Sequence, residues 1–251
     1  MIIKNPSDTE MKFVPNDWGK DSLSEFLDNV QHNIMASFVN LKPEYTRLLQ
    51  IHEAFKKIID NLLNIKELVP SFFLMRAHAS YLGGVRFSLS GQVPEAYMVL
   101  RGCLENSLYA FHIFQHSEAS EIWIRRHDSP NSLSQCKNEF RINNVFKSLE
   151  KVDVSICKIA RELYATTIDY GGHPNELSLT SIMSKSEDGS KIDFKIPYLI
   201  DYRLNPLPFV LCMKSVARIG VCSLCIFRLI FRERFDIMSI TDSLEKLKVG
   251  L

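Results

Sequence analysis

Helix-breaking residues are rare in this chain: its 251 residues include only 10 glycines and 10 prolines. The long intervals between them carry apolar residues at helical spacing, which favours helices over short strands. Ser22-Leu23-Ser24-Glu25 fits a capping box and predicts a first helix running towards Val39. Pro43 suits the first turn of a second helix, with Leu48, Ile51, Phe55, Ile58, Ile59, Leu62 and Leu63 as its buried stripe. Pro70 opens a third helix through Phe87, in which Gly83-Gly84 marks either close packing or a break. Pro94 opens a fourth, ending about His116.

Shorter helices are expected over 118–127, 132–149 and 153–169, with Gly171-Gly172 as a stop. Residues 178–198 change character around the polar turn Ser186-Glu187-Asp188-Gly189-Ser190 and predict a small β-hairpin or an ordered loop. Helices resume over 208–231 and 239–247. The expected architecture is all-α: a single multi-helix bundle over 21–251, with an amino-terminal extension at 1–20 and the hairpin or loop inserted near 178–198.

With 46% hydrophobic residues and a net charge of +1, the chain is not of the disordered class. Its length allows a core that needs neither disulfides nor metal. Thirty basic residues against 29 acidic ones give no general attraction for RNA or anionic lipid, so RNA is not favoured as a partner. Met1 to Asp8 contain no apolar run of a secretory signal. The most apolar stretch, 206–231, carries Lys214, Arg218 and Arg228, so it reads as a core helix and no membrane partner is expected. The six cysteines fall mostly within apolar helical patterns, which points to a reducing compartment and to the cytoplasm. Cys222-x-x-Cys225 sits mid-helix without a second such pair and reads as core.

The fourth helix carries the most information. With Glu105 at zero on a 100° wheel, Arg101 falls at about −40°, His112 at about −20° and His116 at about +20°. Nearly everything else around the wheel is apolar, so the helix is central and its ionic stripe lines a cleft or a polar seam. His112 and His116, one turn apart, are spaced to reach one metal ion and are the candidate metal ligands. In the late apolar helix Lys214 and Arg232 lie at about −40° from Arg218, and Cys225 at about −20°. These cations either snorkel to solvent, face Glu105 across the core, or bind an anion. Tyr170-Gly171-Gly172-His173-Pro174-Asn175-Glu176 is the candidate loop, with His173 suited to acid–base work and Asn175 to ligand binding.

Leu100-Arg101-Gly102-Cys103-Leu104-Glu105-Asn106, followed by Tyr170-Gly171-Gly172-His173-Pro174-Asn175, resembles a group of bacterial helical proteins loosely grouped with HEPN-like bundles. The resemblance covers about residues 70–180. It implies a bacterial helical bundle that can form a homodimer, with Arg101, Glu105 and His173 converging. Many HEPN domains are metal-independent ribonucleases of toxin or phage-defence systems, with a motif of Arg, four to six residues, then His. The match here is Arg47 to His52, in an early helix.

Three functional readings follow. The first is binding of a protein or small-molecule partner through the Arg101/Glu105/His173 region, with His112, Asn175, Lys214 and Arg218 as further ligand contacts. The second is a ribonuclease in which Arg101 stabilises phosphate charge and His173 handles a proton. The third is a metal-dependent hydrolase using His112 and His116. Neither a P-loop nor a dinucleotide fingerprint occurs, and no cofactor is expected.

Overall fold

The computed structural model describes residues 14–174, 176–188 and 191–251. Helix α1 (Ser22–Asn40) starts at the expected serine, and its cap is Asp21, whose carboxylate accepts from the backbone N–H groups of Leu23 and Ser24. Helix α2 (Lys42–Ile59) ends before Leu62 and Leu63, and Leu63 is exposed rather than part of the stripe. Helix α3 (Leu68–Ser90) passes through Gly83 and Gly84 unbroken. A Cβ at either glycine would press into Val99 or Leu100, so the pair serves close packing against α4 (Val93–Gln115).

Helices α5 (Ser117–Ile124), α6 (Pro130–Glu139) and α7 (Ile142–Glu150) follow. The expected helix over 132–149 is thus two helices, parted at Phe140-Arg141, and the cap of α6 is Ser129. Helix α8 (Val154–Thr167) runs on into a π-helical turn, Ile168–Gly172, where a simple stop had been expected. A short helix, α9 (Glu176–Thr180), occupies the start of the segment expected to form a hairpin or an ordered loop. Strands β1 (Ser184–Asp188) and β2 (Lys191–Lys195) then pair antiparallel, Ser184 opposite Lys195. Ile192 and Phe194 on β2 are exposed, so the hairpin adds nothing to the core. Helices α10 (Pro206–Ile230), α11 (Arg232–Ile237) and α12 (Ile240–Lys248) complete the described chain.

The fold is an all-α bundle with one small hairpin, and its centre is the pair α4 and α10. Helix α4 packs against α3, α10 and the layer formed by α7, α8 and the π-turn, which is why its wheel is apolar nearly all round. Helix α10 is long and apolar enough to cross a membrane, but most of it is buried inside the bundle. Gly220 lets α10 lie directly on Tyr81 and Ile51, and the buried Tyr81 hydroxyl donates to the Leu48 carbonyl at 2.9 Å. All six cysteines are free and buried.

A histidine pair joins α2 to α3. His52 Nδ1 and His78 Nε2 lie 2.9 Å apart, and the Phe55 ring stacks on His78 at 5.2 Å between centroids. Burial and the charge of His52 lower the pKa of His78 from 6.5 to about 4, with Asp60 opposing. The unfolded chain therefore holds a proton that the folded chain has released between these values. Stability present at neutral pH is lost as pH falls from about 6.5 towards about 4. His78 is partly exposed, so solvent screening limits the loss to about 1–2 kcal/mol. Denaturant titration at several pH values should show this slope in the parent and a shallower one in His78→Phe. Equal slopes would contradict it.

Candidate ligand-binding site

The ionic stripe of α4 divides into two separate networks. In the first, Arg101 Nε donates to Glu105 Oε1 at 2.8 Å and Arg101 Nη2 donates to the Tyr164 hydroxyl at 3.0 Å. The Tyr164 hydroxyl in turn donates to Glu105 Oε1 at 3.1 Å, which closes a ring of three groups between α4 and α8. Burial and the Glu105 carboxylate raise the Tyr164 pKa, so the phenol stays protonated and remains a donor. Each charge already has a partner, and this arrangement ties two helices together.

The second network lies two turns further along. His112 Nε2 is 2.9 Å from Glu139 Oε1, and His112 Nδ1 is 2.8 Å from Ser148 Oγ. An ionised carboxylate only accepts, so His112 carries its proton on Nε2 and Nδ1 accepts from the serine. His116 Nε2 sits 3.1 Å from the same oxygen. Burial lowers the His112 pKa against the opposing pull of Glu139. Carboxylate, imidazole and hydroxyl in this order can activate a serine nucleophile. Ser148, however, is 6% exposed and lies within α7, where backbone N–H groups are spent on the helix and cannot receive an oxyanion. The chemistry it supports is structural. Ser148→Ala strands both imidazoles and should cost about 1–3 kcal/mol in a denaturant titration. Unchanged stability would contradict the role assigned to this network.

His116 and His112 thus face Ser148 and Glu139, and no group of three or more metal-ligating side chains suited to an ion occurs among the described residues. His173 is exposed just past the π-turn, and no hydrogen bond or ion pair among the described residues joins it to Arg101 or Glu105. Asn175 lies outside the described residues. In the early helix Arg47 reaches the Gly250 carbonyl, while His52 pairs with His78.

The cations of α10 occupy a different setting. A cleft of about 490 Å³ opens between the start of α4, the π-turn and the first half of α10. Lys214 and Arg218, one turn apart, both line it, as do Tyr97, Tyr170, Ser181 and Ser215. Tyr97 lies one turn before Arg101, so the polar stripe of α4 runs out into the cleft. Its hydroxyl is 3.1 Å from Ser215 Oγ, and its ring packs on Tyr170 at 5.3 Å between centroids. The π-turn is held down by close contact: a Cβ on Gly171 would stand 2.2 Å from the Pro94 carbonyl oxygen. Leu207, Pro208 and Leu211 give the cleft an apolar side.

Arg218 does not face Glu105. Its Nη2 donates to Glu162 of α8 at 2.8 Å, while Lys214 is exposed and makes no hydrogen bond or ion pair among the described residues. Arg232, placed on the same stripe by periodicity, belongs to α11 and is exposed. No carboxylate is among the residues lining the cleft. The buried Ser181 Oγ has no hydrogen-bond partner among them either, a donor and acceptor left open at the edge of the cleft. Glu162 and Tyr164 had no signal in the sequence, because their partners are on helices distant in the chain. No protein-family model, curated protein or solved structure matches the chain.

Proposed function

We propose that this chain binds a small organic anion in the cleft between α4, the π-turn and α10. The observation that carries this reading is the uncompensated charge of Lys214 beside Arg218 in a concave site whose described lining has no carboxylate. A cation left without a partner in a surface cleft attracts anions at low energetic cost, since no existing ion pair has to be broken. The Tyr97–Ser215 hydroxyl pair and the open Ser181 hydroxyl supply directional hydrogen bonds. Tyr170 and Leu211 supply apolar contact. A volume of about 490 Å³ fits a metabolite-sized ligand and not a folded partner. The Arg101–Glu105–Tyr164 ring holds α8 against α4 and so fixes the wall from which Tyr170 projects.

Phenyl phosphate combines a ring with a dianionic head and is a suitable probe. Isothermal titration calorimetry at low ionic strength should show binding that weakens as salt is added, because the attraction is largely between exposed charges. Lys214→Ala should reduce the affinity by about tenfold, the loss of one charge-assisted hydrogen bond. Heat of binding that is indifferent to this substitution would refute the site.

A further inference from the structure

A second cavity, of about 340 Å³, lies further along the same two helices. On α10 the cleft uses Leu207, Leu211, Lys214 and Arg218, and the second cavity uses Arg218, Val221, Cys222, Cys225 and Arg228. These positions recur every three or four residues, so they form one stripe along a single face of α10, about 30 Å long. Helix α8 and the π-turn that follows it supply the opposite wall in reverse order. Thr166 and Tyr170 stand at the cleft, and Ile156 and Ile159 at the second cavity. Arg218 belongs to both cavities, and its bond to Glu162 forms the waist between them.

The two compartments differ in charge. The cations at the edge of the second cavity are already matched: Lys248 Nζ lies 2.6 Å and Arg228 Nη1 3.7 Å from Glu245. Its inner wall is Ile156, Ile159, Val221 and the thiols of Cys222 and Cys225, which burial holds protonated. Asp153 also lines this cavity, and its carboxylate caps α8 by accepting from the Ile156 N–H at 2.8 Å. The cation without an ion pair among the described residues therefore stands at the Lys214 end, and the apolar wall at the other.

We infer that the natural ligand is a single-chain alkyl anion, with its head between Lys214 and Arg218 and its tail passing the Arg218–Glu162 waist into the α8–α10 cavity. This rests on the anion-binding reading above and specifies the class of anion. A partner helix, with a diameter of about 10–12 Å, is too wide for a cavity of about 340 Å³. An extended alkyl chain is not.

Calorimetry with butyl phosphate and octyl phosphate, and with butanoate and octanoate, separates head from tail and phosphate from carboxylate. Burying a methylene strengthens binding up to about fourfold, so four more should give at least about tenfold tighter binding. Ile159→Asp, at a half-exposed position on the tail cavity, should abolish that gain and leave the butyl compounds unchanged. A thermal melt followed by circular dichroism confirms that the variant is folded, and Ile159→Asn repeats the test without added charge. Lys214→Ala should weaken short and long compounds by the same factor. Equal binding of butyl and octyl compounds, or a chain-length gain that survives both Ile159 variants, would overturn the tail assignment and leave the anion site standing. Insensitivity of every compound to Lys214→Ala would overturn both.

Discussion

Gly220→Val should lower the melting temperature by roughly 10 °C, and Gly220→Ala by about half as much. An added Cβ at Gly220 would stand 2.6 Å from Tyr81 Cε2 and 2.7 Å from Ile51 Cγ2, and both side chains are fully buried. Neither neighbour has room to retreat. Tyr81 is anchored by its hydroxyl to the Leu48 carbonyl, and Ile51 lies within the packed face of α2. Two effects oppose each other here. Alanine gains about 1 kcal/mol of helix propensity over glycine, while overpacking a rigid core costs about 1–3 kcal/mol and a displaced Tyr81 hydroxyl about 1–3 kcal/mol more. The steric term wins, and valine adds further bulk. Thermal unfolding followed by circular dichroism reads the effect directly. A Gly220→Ala variant as stable as the parent would mean that α10 does not lie as close to α2 and α3 as described.

Lys214→Glu should abolish anion binding while leaving the fold intact. The substitution removes an unpaired positive charge and puts a negative one in its place, one turn from Arg218. The new carboxylate repels the ligand and also competes for the Arg218 guanidinium, which is already shared with Glu162. Two unit changes of charge at hydrogen-bond range, at the effective dielectric of a protein surface, amount to at least about 2 kcal/mol, or more than thirtyfold in affinity. Stability should stay within about 0.5 kcal/mol of the parent, since Lys214 is exposed and makes no hydrogen bond or ion pair among the described residues. Titration calorimetry with phenyl phosphate, paired with a denaturant curve, separates binding from folding. Binding within threefold of the parent would contradict the role of Lys214.

The parts of this molecule that were legible in the sequence are those governed by a single helix. The 3.6-residue period placed Arg101, Glu105, His112 and His116 on one stripe, and these side chains do form the polar seams of α4. The same period put Lys214, Arg218 and Cys225 on one face of α10, the face that lines both cavities. What a stripe meets depends on packing, and periodicity carries no record of it. Glu139, Ser148, Glu162 and Tyr164 therefore gave no signal, although each supplies a bond to a stripe residue. His78 escaped notice for the same reason: its partner, His52, lies on a different helix.

Irregular backbone was also hidden. The break at Phe140-Arg141 has neither glycine nor proline to mark it, and Phe140 instead packs into the core while its carbonyl accepts from Tyr109. The π-turn depends on Gly171 meeting the Pro94 carbonyl, a contact 77 positions apart in sequence, so the two glycines read as a stop. Its consequence is local to the cleft, because the wider turn brings Tyr170 onto Tyr97.

The most direct test of the account is a crystal structure of the protein grown with phenyl phosphate. The phosphate should lie about 3 Å from both the Lys214 ammonium and the Arg218 guanidinium, with the ring against Tyr97 and Tyr170. Phosphate bound instead at Arg101, or at a surface cation away from the cleft, would contradict it.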